Sequence, residues 1–115
     1  GVTRAEAQAE AYELETLVLP VTPAQAIVAA EQAAKNLGWS VMVSDPSEGQ
    51  LEATDYSFWY GLGADIAVRA VADAEGARID VRATGREPGP DMGANANRVK
   101  AMINEVAFAL RGRSG

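Results

Sequence analysis

The sequence has no cysteine and no histidine. Without cysteine there is no disulfide framework, no thiolate nucleophile and no Cys-based metal site. Without histidine the commonest general base and the commonest transition-metal ligand are missing too. These two gaps set aside most hydrolase and metalloenzyme chemistry, so no metal and no cofactor is expected. Aromatic residues supply only 6% of the chain, whereas 23 of the 115 residues are alanine. The expected core is therefore thin, made of Ala, Val, Leu and Ile with a few large anchors. No run of about 18 apolar residues occurs and no signal-peptide pattern opens the chain. A first residue of Gly1 rather than methionine reads as the start of an excised fragment.

What is present suits one globular domain. At 115 residues and 48% hydrophobic content, the chain can hide roughly two-thirds of its unfolded surface without metal or disulfide support. The net charge is −6, with 10 basic and 16 acidic residues. The acids dominate the first half, whereas the second half is nearly balanced. An acidic protein is a poor non-specific partner for nucleic acid, which carries the same sign, so no nucleic acid is expected. The basic residues are mostly arginine, which suits fixed two-pronged contacts with carboxylate or phosphate.

Along the chain, "RAEAQAEA" places alanine at alternate positions and gives no apolar helical stripe, so residues 1–13 read as a linker or frayed N-terminal segment. A single domain is expected over 14–111 and a disordered tail over 112–115. "TLVLPV" (16–21) predicts a strand, and Pro20 places it at a sheet edge or at its own end. Thr22 and Gln25 make a T-x-x-Q capping box with Pro23 at the first helical position. Ala24, Ile27, Val28, Ala30, Ala34 and Leu37 recur at helical spacing up to Gly38, so a helix is expected over 23–37. Strands follow at 39–44, 50–60, 65–73 and 77–84, punctuated by "DPSEG", "GLG" and "AEGA". Asp91 can cap a final helix whose Met92, Ala96, Val99, Met102, Ile103, Val106 and Leu110 form one apolar stripe. The order β-α-β-β-β-β-α implies an α+β, two-layer domain: a largely antiparallel sheet with two helices packed on one face.

The strands at 65–73 and 77–84 allow a register to be chosen. With Glu75-Gly76 as a two-residue turn, Ile66, Val68, Ala70 and Ala72 oppose Gly85, Ala83, Val81 and Ile79, a wholly apolar face. On the other face Asp73 then pairs with Arg78 and Asp65 with Arg86, while Arg69 falls directly opposite Arg82. Asp80 is the diagonal neighbour that can neutralise one arginine. One reading is a solvated ladder of ion pairs, each worth about 0–1 kcal/mol. The sharper reading is an anion-binding patch of Arg69, Arg82 and Arg86.

Other features are weaker. "GPDMGAN" (89–95) sets glycines at a helix start, but Asp91 itself caps those N–H groups, and Asn95 and Asn97 suit hydrogen bonds to the preceding loop. Asp45, Asp55, Asp65 and Asp91 fall in no D-x-D-x-D-G loop. Asp65 and Asp80 share a face, yet each has an arginine neighbour that favours the ionised form, against acid–base catalysis. Trp39, Phe58, Trp59 and Tyr60 suit core and rim positions.

"LGWSVMVSDPSEGQLEATDYSFWYGLGADIAVRAV" and "RIDVRATGREPGPDMGANANRVKAMI" together resemble the domain of unknown function 1499 family. That family's pattern has a G-W strand, an acidic turn, an I-E-A-T strand and F-G-F-x-D-D-V. It closes on V-D-V-R-S-x-S-R-x-G-x-S-D-L-G-x-N-x-x-R-I. Asp65, Asp80, Arg82, Arg86, Asp91, Gly93, Asn95 and Arg98 match it. Ala83, Gly85 and Pro90 stand where the family has serines, Ala64 replaces the first Asp of its pair and Pro88 a glycine. The resemblance spans about residues 14–110 and implies a bacterial origin and attachment to a membrane through an upstream segment. The expected function is a non-catalytic accessory or binding domain, the soluble part of a membrane-associated protein. The alternative is a small-anion or lipid-headgroup binder using the arginine-lined face, and third an Asp/Arg-based enzyme. The expected partner is another protein or a small anion, and the expected binding set is Arg69, Arg82, Arg86, Asp65, Asp80, Asp91, Asn95 and Arg98.

Overall fold

Alternating apolar and polar residues in the second half of the chain produce long, regular strands with one buried face. The computed structural model describes residues 11–56, 64–85 and 93–114, and the side chains of 14–56, 64–85 and 96–111. The elements are β1 (Ala11–Leu19), α1 (Pro23–Asn36), β2 (Ser40–Asp45), β3 (Gln50–Asp55), β4 (Ala64–Asp73), β5 (Gly76–Gly85) and α2 (Gly93–Ser114). One antiparallel five-stranded sheet has the order β1-β5-β4-β3-β2. Strands β2 to β5 form the expected meander, and β1 closes beside β5. Both helices pack on one sheet face, which is the two-layer α+β arrangement expected from the element order.

α1 starts where its capping signals put it. The Thr22 hydroxyl accepts from the Gln25 N–H at 3.1 Å, and the Gln25 side chain accepts from the Thr22 N–H at 2.9 Å. Its buried stripe is Ala26, Ile27, Ala29, Ala30, Ala33 and Ala34. The stripe lies slightly off the expected one: Ala24 and Val28 are exposed, because alanines on both sides of Ile27 let the helix turn its narrowest side to the sheet. On the sheet, Leu51, Ala53, Ile66, Val68, Ala70, Ala77, Ile79, Val81 and Ala83 meet Val99, Met102 and Val106 of α2. Trp39 is buried as expected, whereas Phe58, Trp59 and Tyr60 lie outside the described residues. β1 begins at Ala11, ahead of the expected Thr16, and α2 continues to Ser114, past Leu110.

The β4–β5 hairpin requires a correction. Ala64 pairs with Gly85, Val68 with Val81, Ala70 with Ile79 and Asp73 with Gly76. Ala74 and Glu75 are thus the two turn residues, one position earlier than expected, and the pairing is displaced by two. The faces survive because side chains alternate with a period of two, so a shift of two returns each to its own side. Two local contacts fix the turn. The Glu75 N–H donates to Asp73 Oδ1 at 3.1 Å. Gly76 has φ 138°, and a Cβ there would collide with the Leu19 carbonyl oxygen where β1 closes on β5.

Candidate functional site

The sheet face turned away from both helices is built from residues of one parity on each strand. Across β3, β4, β5 and β1, one row reads Gln50, Arg69, Asp80, Thr16. The next reads Glu52, Ala67, Arg82, Leu14, and a third Thr54, Asp65, Thr84. Beyond the first row, Val71, Arg78 and Val18 face one another. The long side chains around Ala67 stand up from the sheet while alanine does not, which leaves a shallow dish of about 380 Å³. Arg69, Arg82, Glu52, Asp80, Gln50 and Leu14 ring it.

The directly facing arginine pair is therefore overturned. Arg69 faces Asp80, and Arg82 faces Ala67 on one side and Leu14 on the other. The two arginines are diagonal neighbours that share the dish, and the rim carries two charges of each sign. Asp80 is also the acceptor for the Thr16 hydroxyl at 2.7 Å, and among the described residues no ion pair joins it to Arg69. The expected Asp73–Arg78 pair does not form a facing pair, since Arg78 opposes Val71. Asp65 opposes Thr84 instead of Arg86, and accepts from the Thr54 hydroxyl at 3.2 Å.

Arg98 belongs elsewhere. It is buried on the helix side of the sheet, 7% exposed, beside Asp55 at 6%. Its Nε donates to Asp55 Oδ2 at 2.9 Å. This ion pair ties the first turns of α2 to the end of β3, so Arg98 does not reach the open face. Arg86 and Asp91 lie outside the described residues, as does the Asn95 side chain in the first turn of α2. Sequence reasoning thus brought Arg69, Arg82 and Asp80 together and missed Leu14, Gln50, Glu52 and Ala67. The alternation in "QLEATD" already sets Gln50 and Glu52 on one face. Leu14 had no such signal, because its place depends on the long-range pairing of β1 with β5, in which it meets Arg82.

A smaller polar cluster sits where α1 meets β2. Glu31 accepts from the Ser44 hydroxyl at 2.7 Å and pairs with Lys35 at 3.1 Å. The Ser44 hydrogen bond, then Lys35, hold its carboxyl below the ordinary value of 4.5. Among the described residues there is no cluster of three or more acidic side chains placed to hold a metal. Nor is any described helix long and apolar enough to cross a membrane.

Comparison with known proteins gives a family and a fold. The family described as "Protein of unknown function (DUF1499)" matches residues 1–106. No curated protein sequence matches. Among solved structures, Ara h 8.0201 is similar with a TM-score of 0.62 at 14% identity, over 90% of this chain and 99% of that one. Protein MLL2253 from Mesorhizobium loti is similar with a TM-score of 0.64 at 10% identity, over 87% and 96% of the two chains. TTHA0849 from Thermus thermophilus gives 0.57 at 11% identity, over 92% and 99%. At such identities these likenesses speak for the fold alone.

Proposed function

We propose, starting from the fact that this chain belongs to the DUF1499 family of proteins of unknown function, that it is a non-catalytic binding domain working through the sheet face turned away from both helices. The observation that carries this reading is the dish around Ala67, ringed by Arg69, Arg82, Glu52 and Asp80. A concave polar surface on a rigid five-stranded sheet holds its charged groups at fixed spacing, as recognition requires. Two charges of each sign favour a ligand that itself carries both, since a bare anion gains from the arginines and loses to the carboxylates. The absence of histidine and cysteine, and the engagement of the buried Asp55 by Arg98, support binding over catalysis.

The second reading, a small-anion or lipid-headgroup binder, is favoured by one feature: Arg69 and Arg82 line the same dish. A headgroup with both phosphate and ammonium satisfies both readings. The family resemblance further supports placing the domain as the water-exposed part of a membrane-associated bacterial protein. Titrating labelled protein with inorganic phosphate and with O-phosphoethanolamine separates the readings by nuclear magnetic resonance. The dish reading expects amide and guanidinium shifts at Arg69, Arg82, Glu52 and Ala67, larger with phosphoethanolamine. Equal shifts with both probes favour the anion reading. Shifts confined to the helix side, or absent with both, contradict the use of this face.

A further inference from the structure

The two edges of the sheet are treated differently. β2 spans only six residues, and its pairing with β3 is broken by an irregularity between Val41 and Val43, which leaves Met42 exposed. Such short, bulged edges resist pairing with another chain. β1 spans nine residues and pairs with β5 at every one of them without a register shift. From Ala11 to Leu19 it contains neither lysine nor proline, and the edge charges it does carry, Glu13 and Glu15, restrict which registers can form. Among the described residues no strand pairs with its outer edge. Leu14 and Val18, 49% and 43% exposed, both stand on its open-face side.

We propose that two copies of this chain join edge to edge through β1, antiparallel about a two-fold axis passing at Thr16. The acidic residues of β1 select this register. In an antiparallel pair that keeps both helix layers on the same side, the residue on the axis faces itself and the others face their mirror positions. An axis at Leu14 sets Glu13 against Glu15 twice, and an axis at Glu15 sets that carboxylate against itself; like charges in facing positions destabilise a sheet. With the axis at Thr16, Glu15 faces Leu17 and Glu13 faces Leu19, so no acid meets an acid. Leu14 faces Val18 in both directions, which covers the exposed aliphatic pair. An axis further along shortens the ladder, because Pro20 follows Leu19 and cannot donate to it.

The joining has a consequence for the site. Leu14 is the β1 wall of the dish, so Val18 of the second copy extends that wall and puts two dishes on one continuous ten-stranded face.

Sedimentation and light scattering of the protein over a wide concentration range test the assembly. The expected species has twice the 12.0 kDa chain mass. Thr16→Lys sets two ammonium groups together at the axis while still reaching Asp80 within its own chain. The expected result is a folded monomer with an unchanged circular dichroism spectrum and a melting point that, unlike the wild type's, does not rise with protein concentration. Thr16→Cys gives this cysteine-free chain a single thiol facing its own copy, at a Cα separation of about 4.5–5.5 Å, within disulfide range. Oxidation is expected to yield a covalent dimer, whereas Val18→Cys, facing Leu14, yields none. A monomer at every concentration overturns the proposal. So do a dimer indifferent to Thr16→Lys, open-ended aggregates, or cross-linking at Val18 in preference to Thr16.

Discussion

Asp55 and Arg98 show at the level of single residues how much depends on a pairing. Both side chains are almost fully buried and joined at 2.9 Å. Removing one member leaves the other's charge in a low-dielectric interior, which costs about 3–5 kcal/mol, whereas replacing both with apolar groups is often close to neutral. Arg98→Met is therefore expected to lower the urea midpoint sharply, and Asp55→Leu with Arg98→Met to recover most of the loss. Glu31 gives a pH prediction with a definite sign. Its carboxyl is held down by Ser44 and Lys35, so the charged form is favoured in the folded state. That stability is present above the ordinary value of 4.5 and is lost as pH falls through the lower folded value. Urea midpoints of the wild type and Glu31→Gln should differ near neutrality and converge in the acid range. A constant difference at all pH values would contradict the assignment.

At the scale of elements, turns and caps decide what strand and helix patterns leave open. Gly38 and Gly76 both have positive φ, at 82° and 138°. A Cβ at Gly38 meets nothing within 4 Å, whereas one at Gly76 strikes the Leu19 carbonyl oxygen. Gly38→Ala should cost only the left-handed penalty of about 1 kcal/mol. Gly76→Ala should cost more, since β1 and β5 must separate to admit it; thermal melts of the two variants compare them directly. Thr22→Ala should cost about 1 kcal/mol through loss of the capping box. The same logic explains what was legible in the sequence. α1 was readable because Thr22, Pro23, Gln25 and Gly38 are local signals, and the sheet faces because β5 alternates apolar and polar residues from Ala77 to Thr84 and β4 keeps Ile66, Val68 and Ala70 on one side. The hairpin register was not, because an alternating pattern is unchanged by a shift of two. What settles it is the Asp73 carboxylate on the Glu75 N–H and the fit of Gly76 against Leu19. Arg98 was readable as a notable residue but not as a buried one, since its partner Asp55 is 43 residues away.

On the scale of the whole molecule, the alanine-rich helices cover one side of the sheet, and among the described residues charged groups converge on the other. Alanine supports both sides: on α1 it lets the helix approach closely, and at Ala67 it makes the floor of the dish. The second role can be tested without disturbing the core, because Ala67 points away from the helices. Ala67→Phe fills the dish and should leave the melting temperature nearly unchanged. The most direct measurement is therefore the affinity of the wild type and Ala67→Phe for O-phosphoethanolamine, followed at the Arg69 and Arg82 guanidinium resonances. The account predicts saturable binding to the wild type, in about the millimolar range for exposed pairs, and its loss in the folded variant. Equal binding by both proteins, or none by the wild type, would contradict it.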